Sequence, residues 1–422
     1  MPEKDFNSLI DEANISAVER IMESHPFLVG IDRAIRKIPG MKERMLLHAG
    51  YPRLSWEEMI GPMKGAVIGA ILYEGWADSK EKAIRMAERG EIEFSPTVDH
   101  SSVAPMAGII SPSMPVFLVE NRTYGNFAYS NINEGLGKAL RFGAFDDEVI
   151  KRLRWIEEVL MPSLEIVLRE MREIDLRGFI EGALHRGDEC HNRNKTVSLM
   201  FLSSISSVLI RSDLDREKVA EVVDFINGNP HFFLNLSIPS SKCSLDAAHG
   251  INYSTVVSGL TTNGKNLAMR VSGLDNWITA PSVIAKAKYF RGFDESCAAP
   301  VLGDSYHSEP AGIGAFAMAA APAIVSFVGG EPDMGFKATT EMYRITVAEH
   351  RYYKIANLGY RGTPTGIDIR KVLKTGITPI INTGVAHREP GVGQIGAGIL
   401  RLPMELFTKA KKEFEEKYGV RL

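Results

Sequence analysis

The apolar positions between residues 176 and 209 recur with the period of an α-helix, about 100° per residue. On one side of a polar stretch, a single helical face holds Leu176, Phe179, Ile180, Ala183 and Leu184. Beyond the polar stretch, the same face continues with Val197, Phe201, Leu202, Ile205, Val208 and Leu209. Because the phase is unbroken, the pattern predicts one long helix over 176–209, or two nearly collinear helices hinged at Gly187.

The polar stretch itself reads RGDECHNRN, residues 186–194. On the same phase, the positions that face the core are Gly187, Cys190, His191 and Asn194. Asp188 falls at the border of that face, as do Asn192 and Arg193 less closely, whereas Glu189 points away. A polar group on a buried face costs about 1–3 kcal/mol unless it is paired.

Two interpretations of this stretch remain open. It is either a buried polar network that fixes helix packing, or an interhelical pocket in which Gly187 makes room for a ligand. A metal held by His185, Glu189, Cys190 and His191 would require the helix to unwind, because these side chains point in different directions.

The rest of the chain mixes helical and strand-like patterns. Helices are predicted up to residue 50 with an interruption at Pro26, over 61–75, and over 76–90 with a cap at Asp78-Ser79. The run PVFLVEN predicts a strand. Residues 146–226 have a strongly helical pattern.

After residue 230, short β-like runs (STVVSG, LAMRVSG) alternate with Ala-rich segments predicted to be helical (PSVIAKAKYF, FAMAAAPAIV). A strand (TPIIN) and a charged helix (PMELFTKAKKEFEEKY) follow. The fold class is therefore mixed α/β (α+β), with two α/β domains, 1–145 and 229–422, flanking a mainly helical domain, 146–228.

Composition narrows the class of protein. The 422 residues are 45% hydrophobic and 24% charged, with a net charge of −3 and no basic patch, which argues against nucleic acid as a partner. Three widely spaced cysteines fit a reducing cytoplasm. The uncharged segment 311–330 is rich in Gly and Ala and contains Pro322, so we expect a helix buried in the core rather than a membrane span.

Three further stretches carry candidate chemistry. In VDHSSVAPM, His100 is a candidate acid or base, and Ser101 and Ser102 are candidate anion ligands, although a purely structural loop remains equally open. Gly303-Asp304-Ser305 precedes small residues at a predicted helix start, where free N–H groups favour anions, although Asp304 or Glu309 could simply cap that helix.

The third stretch is NTGVAHREPGVGQIGAG, residues 382–398. Its glycines have GxGxxG spacing, but no strand directly precedes them and only 24 residues follow Gly398, so a dinucleotide fold is rejected. A flexible ligand-binding loop and a purely structural glycine turn both remain open. As a loop, it offers Asn382, Thr383, His387, Arg388, Gly391 and Gly393 as binding residues.

The chain resembles the YlbE/YahG-like proteins, a family long known only as a domain of unknown function. The motifs that carry this resemblance are HAGYP…GPMKGAVIGA, VAPMAGIISPSMPVFLVEN, GDECHNRN, RVSGL, GDS…GAFAMAAAPAIVSFVGG and GIDIRKV…INTGVAHREPGVGQIGAG. They extend through nearly the whole chain, and their combination is specific.

The resemblance implies a subunit of a carbamoyltransferase complex that works with FdrA-like partners in allantoin breakdown. The implied reaction converts oxalurate and phosphate into oxamate and carbamoyl phosphate, with no cofactor. We therefore expect a small anionic ligand, other complex subunits and a homo-oligomer. The residues offer His191 or His100 as proton donor, Asn192 and Asn194 as oxyanion donors, Arg193 or Arg388 for a carboxylate, and the segments 303–305 and 391–398 for phosphate.

Two other functions remain open. The chain could be a non-catalytic subunit that binds a small anion and organises the complex, or a metal-dependent amidohydrolase.

Overall fold

The computed structural model describes residues 6–328 and 332–422. Its helices are α1 (Phe6–Glu23), α2 (Ala34–Lys37), α3 (Gly61–Tyr73), α4 (Lys80–Glu88), α5 (Asp147–Trp155), α6 (Met161–Met171), α7 (Leu176–Leu184), α8 (Lys195–Arg211), α9 (Arg216–Gly228), α10 (Leu234–Ala247), α11 (Pro322–Phe327), α12 (Pro332–Met342), α13 (Ile369–Thr375) and α14 (Met404–Tyr418).

The strands are β1 (Pro26–Arg33), β2 (Met45–His48), β3 (Glu93–Pro96), β4 (Pro115–Asn121), β5 (Phe127–Asn131), β6 (Ile174–Asp175), β7 (Val257–Asn263), β8 (Asn266–Val271), β9 (Trp277–Pro281), β10 (Lys286–Tyr289), β11 (Leu302–Gly303), β12 (Thr346–Ile355), β13 (Arg361–Ile367), β14 (Ile380–Ala386) and β15 (Gln394–Arg401). The predicted mixed α/β class is confirmed. The placement of the domain boundaries stays a prediction.

Most strand pairs in the described residues are antiparallel. The sheets have the orders β5-β4-β1-β6, β10-β15-β14 and β11-β7-β8-β9, together with the pair β12-β13. The short pair β2-β3 is parallel. The sheet built on β1 and β4 shares one apolar core with the helices α6–α9. A second core joins β7, β8, β14 and β15 to α14.

A 3₁₀-helix, Gly314–Ala320, lies between these two cores. Ala315, Phe316 and Met318 pack into the second core, whereas Ala317 and Ala319 pack into the first. The predicted core helix over 311–330 is therefore replaced by this 3₁₀-helix followed by α11, and Gly329 and Gly330 lie outside the described residues. No helix in 6–328 or 332–422 is both long enough and apolar enough to cross a membrane.

Several predicted elements need correction. Of the two alternatives for 176–209, the single helix is wrong and the break between two helices is present, because α7 ends at Leu184, α8 begins at Lys195 and Gly187 lies between them. Residues 26–33 and 286–289, both expected to be helical, are the strands β1 and β10. The strand PVFLVEN, the Ser79 cap of α4 and the C-terminal helix are confirmed.

Candidate active site

Residues 185–194 form a loop, here called the polar loop, that connects α7 to α8. The helix stops because Gly187 has φ +92° and Cys190 has φ +62°, both in the left-handed region. Asp188 then caps the next helix, since its Oδ2 accepts the backbone N–H of Val197 at 2.8 Å. Cys190, His191 and Asn194 are buried as predicted.

Glu189 does not point away from the core, and that prediction is wrong. Its side chain is fully buried and accepts the backbone N–H groups of His191 at 3.1 Å and Arg193 at 2.6 Å. The helical phase failed here because the loop turns the carboxylate inward. Burial raises the pKa of Glu189 to about 7, so this carboxyl group can gain or lose a proton near neutral pH.

His191 is paired with a second buried carboxylate. Its Nδ1 lies 2.9 Å from Oε1 of Glu309, and both side chains are almost completely buried. Burial alone would lower the pKa of His191, but the carboxylates of Glu309 and Glu189 raise it overall. Burial also raises the pKa of Glu309. The protonation of the two carboxyl groups and of the imidazole is therefore coupled, in a site shielded from water.

A small cleft opens beside this pair. It has a volume of about 170 Å³ and is lined by Leu136, Asn192, Arg193, Asn194, Lys195, Pro230, His231, Ala323 and Ile324. The volume corresponds to about six water molecules, which suits a ligand of a few heavy atoms. Three predicted site residues, Asn192, Arg193 and Asn194, thus come together at one cleft.

Contacts within the polar loop hold Arg193 at the cleft. The Nε of Arg193 donates to the carbonyl of Gly187 at 2.8 Å and lies 3.2 Å from Oδ1 of Asp188. The thiol of Cys190 is buried and its pKa is raised by burial. Of the four residues predicted to face the pocket, only Asn194 lines this cleft; Cys190 and His191 are buried without lining it, and Gly187 is half-buried.

Asn382, Thr383 and Tyr306 extend the buried polar layer. The Asn382 amide makes no hydrogen bond of good geometry within the described residues, yet it lies close enough to Glu189 to lower the pKa of that carboxyl group. The ring of Tyr306 lies 6.4 Å from the ring of His191. Asn382 and Thr383 therefore lie in the same region of the interior as the polar loop.

Asp304 has a different environment. Its two carboxylate oxygens accept hydrogen bonds from Gly50 N, Ala104 N, Thr97 Oγ1 and Thr261 Oγ1. Ser305 begins a 3₁₀-helix of only three residues, Ser305–His307, rather than the predicted longer helix. Asp304 consequently ties four segments together.

His100, Ser101 and Ser102 lie in a turn that connects β3 to β4. Both ring nitrogens of His100 have partners, the carbonyl of Pro39 at 2.6 Å and the hydroxyl of Ser95 at 2.8 Å. The Ser102 hydroxyl donates to the carbonyl of His100. No hydrogen bond, ion pair or ring contact in the described part of the chain joins these residues to the polar loop, so the structure does not pair the two predicted histidines.

His387, Arg388, Gly391 and Gly393 lie in the turn between the antiparallel strands β14 and β15. The side chain of Arg388 is exposed, and the ring of His387 accepts the backbone N–H of Glu389. Gly391 N donates to the carbonyl of Gly143 at 2.7 Å. This turn packs against neighbouring backbone and lies at a distinct place from Asn382 and Thr383, which are inside β14.

Two site residues were missed by sequence reasoning. Glu309 was considered only as a helix cap, although it does accept the N–H of Ala315 at 3.1 Å. His231 was not considered, and only the dipeptide Pro230-His231 after a helix hinted at it. Within 6–328 and 332–422, no group of three His, Cys, Asp or Glu side chains has the arrangement of a metal site.

The known proteins that this chain resembles belong to one family. The family model described as "Oxamate carbamoyltransferase subunit AllG" matches residues 92–305. AllG of Escherichia coli K12, itself named an oxamate carbamoyltransferase subunit, is 41% identical over 97% of this chain and 99% of its own length. YahG of the same organism, an uncharacterised protein, is 43% identical over 97% of this chain and 87% of its own length.

A solved structure agrees with the fold. The crystal structure of a conserved protein of unknown function from Enterococcus faecalis V583 superposes with a TM-score of 0.95. It is 43% identical and covers 98% of this chain and 99% of its own. The chain therefore belongs to the YahG/AllG-like family.

Proposed function

We propose that this chain is the subunit of an oxamate carbamoyltransferase complex that binds the carbamoyl substrate and supplies its proton donor. The relative AllG carries the name of such a subunit. The observation that carries the proposal is the buried His191–Glu309 pair next to the small cleft of Asn192, Arg193 and Asn194.

The proposed reaction is phosphorolysis of oxalurate. A phosphate oxygen forms a bond to the terminal carbamoyl carbon, the bond from that carbon to the oxalurate nitrogen breaks, and oxamate and carbamoyl phosphate result. Because His191 is buried and does not line the cleft, one water molecule relays the proton: the departing nitrogen takes one proton from the His191–Glu309 pair through this water, and the attacking hydrogen phosphate returns one proton to the pair. The pair thus ends the reaction unchanged.

The charges around the cleft suit this substrate. Arg193 and Lys195 line it and supply positive charge for the carboxylate of oxalurate or oxamate. The amide Nδ2 of Asn192, which has no partner among the described residues, would donate to an oxyanion at the carbamoyl carbon. A raised pKa keeps His191 protonated at higher pH than free imidazole, which favours its role as general acid.

The complex would be completed by FdrA-like and other subunits, and by further copies of this chain. We place it in the cytoplasm, in the breakdown of allantoin, and expect no cofactor on this chain. A non-catalytic organising role is the alternative outcome of the same experiment.

The test uses the complex reconstituted with its partner subunits. Carbamoyl phosphate formation from oxalurate and phosphate is measured for His191→Ala and for its control His185→Ala, whose exposed ring lies on the same loop. We expect His191→Ala to lower kcat by about a thousandfold, in the range of general acid catalysis, without loss of assembly. Wild-type activity in His191→Ala would show that this chain only organises the complex.

A further inference from the structure

Three buried polar atoms beside the cleft have no hydrogen-bond partner in the described part of the chain. They are Nδ2 of Asn192, Oδ1 of Asn194 and Nδ1 of His231. Their three side chains line the cleft and are each at least 90% buried. Unpaired buried polar atoms are costly, so such a group on one cleft wall indicates a ligand that pairs with them.

The orientation of Asn194 is fixed by its neighbour. Its Nδ2 donates to the carbonyl of His191 at 2.7 Å, and a carbonyl can only accept. The remaining atom, Oδ1, is therefore an acceptor that needs an N–H or O–H group from a ligand.

The tautomer of His231 follows in the same way. Its ring donates a hydrogen bond to the backbone of Asn192, and Nδ1 is the nitrogen without a partner, so Nε2 carries the proton. Burial and, to a smaller extent, the nearby Arg141 guanidinium together lower the pKa of His231 to about 3. At neutral pH the ring is uncharged, and Nδ1 is a second acceptor.

Two acceptors and one donor on this wall match a primary amide. We propose that Asn192, Asn194 and His231 form a recognition site for the CONH₂ group, with its two N–H bonds directed to Asn194 and His231 and its oxygen to Asn192. Arg193 and Lys195 then face the anionic end of the same molecule. This inference rests on the proposed function and adds the direction in which the substrate lies.

The same arrangement, with residues that bind an amide on one side and positively charged residues on the other, fits every carbamoyl compound of the proposed reaction. Oxalurate, oxamate and carbamoyl phosphate each have a CONH₂ group at one end and a carboxylate or phosphate at the other. A carboxylate in place of the amide would offer no hydrogen to the two acceptors. It would leave two buried acceptors unpaired, which weakens binding.

The experiment compares binding of oxamate and oxalate to the full chain by isothermal titration calorimetry. These ligands have nearly the same size and differ by CONH₂ against COO⁻. We expect oxamate to bind at least about tenfold more tightly than oxalate, because oxalate leaves both buried acceptors without a hydrogen-bond donor. Equal affinities, tighter binding of oxalate, or no binding of oxamate at millimolar concentration would each overturn the inference.

Variants assign the two ends of the ligand. His231→Phe keeps a ring but removes the acceptor, so the preference for oxamate should fall to within about threefold; Asn276→Ala, an exposed site elsewhere, should keep the full preference. Arg193→Ala should weaken both ligands about equally and leave their ratio unchanged. A preference that persists in His231→Phe would remove that residue from the site.

Failure of this inference is distinguishable from failure of the proposed function. Binding is measured on the chain alone and does not depend on turnover. An active complex whose subunit binds oxamate and oxalate equally would keep the proposed function and reject amide recognition. Selective oxamate binding together with full activity in His191→Ala would keep amide recognition and reject the proposed catalytic role of this chain.

Discussion

At the scale of single residues, the site depends on how Glu309 sets the charge of His191. The Glu309 carboxylate lies 2.9 Å from Nδ1 of His191 and raises the pKa of that ring against the opposing effect of burial. Glu309 is a positioning residue in this scheme, because it acts on the reaction only through His191. Its replacement should therefore change the pH dependence of catalysis and not only its rate.

The variant Glu309→Gln keeps the shape of the side chain and removes its charge. The pKa of His191 then falls, so activity that needs the protonated ring is lost at lower pH than in the wild type. We expect the alkaline limb of the kcat profile to move down by about one pH unit or more. The exposed variant Glu405→Gln should leave the profile in place, and an unmoved limb in Glu309→Gln would separate Glu309 from the protonation of His191.

Sequence periodicity predicted part of this residue-scale picture. Cys190, His191 and Asn194 are buried because each is close to apolar helices on the inner side of the loop. Glu189 was placed wrongly, since a helical phase cannot be carried through residues in the left-handed region. His231 and Glu309 lie 40 and 118 residues from His191 in sequence, and only the fold brings them to it.

At the scale of elements, the 3₁₀-helix Gly314–Ala320 holds the His191–Glu309 pair in place. Gly314 has φ +67°, and its N–H donates to the carbonyl of Glu189 at 2.7 Å. A Cβ at this position would lie 2.4 Å from Oε1 of Glu309 and 3.1 Å from Nδ1 of His191. Gly314 therefore has to lack a side chain for the 3₁₀-helix to pack against the polar loop.

Gly314→Ala tests this condition against a matched glycine. Gly359 has a similar φ of +64°, but a Cβ there would meet nothing within 4 Å. We expect Gly359→Ala to lower the free energy of unfolding by about 1 kcal/mol from backbone strain, and Gly314→Ala by about 2 kcal/mol more from overpacking. Urea denaturation measures both, and equal losses would mean that the neighbours of Gly314 yield without cost.

The elements that the sequence did not predict owe their form to tertiary pairing. Strand β1 pairs with β4 on one side and β6 on the other, although its residues continue a helical pattern from α1. Strand β10 belongs to PSVIAKAKYF, a segment expected to be helical, yet Ala287 lies opposite Gly398, where a Cβ on the glycine would be 2.8 Å from the alanine Cβ. Small residues let these strands approach, and propensity alone does not reveal that.

At the scale of the whole molecule, Asp304 connects segments that are distant in sequence. Its carboxylate accepts from Gly50, Thr97 and Ala104 in the first part of the chain and from Thr261 in the last. The sequence placed Asp304 at a phosphate site because it precedes a run of small residues. Four protein donors instead give it the geometry of a buried junction, and its part in substrate binding stays a prediction.

Asp304→Asn distinguishes these two roles. An amide nitrogen at this position would face donors that the carboxylate now accepts, leaving at least one buried group unpaired. The free energy of unfolding should then fall by about 1–3 kcal/mol, measured by chemical denaturation. Asp275→Asn, which breaks an exposed ion pair with Lys417, should change it by no more than about 0.5 kcal/mol. If Asp304→Asn is instead as stable as the wild type and raises KM for phosphate, the carboxylate belongs to the phosphate site and not to the junction, because only a group that touches the substrate changes KM without changing stability.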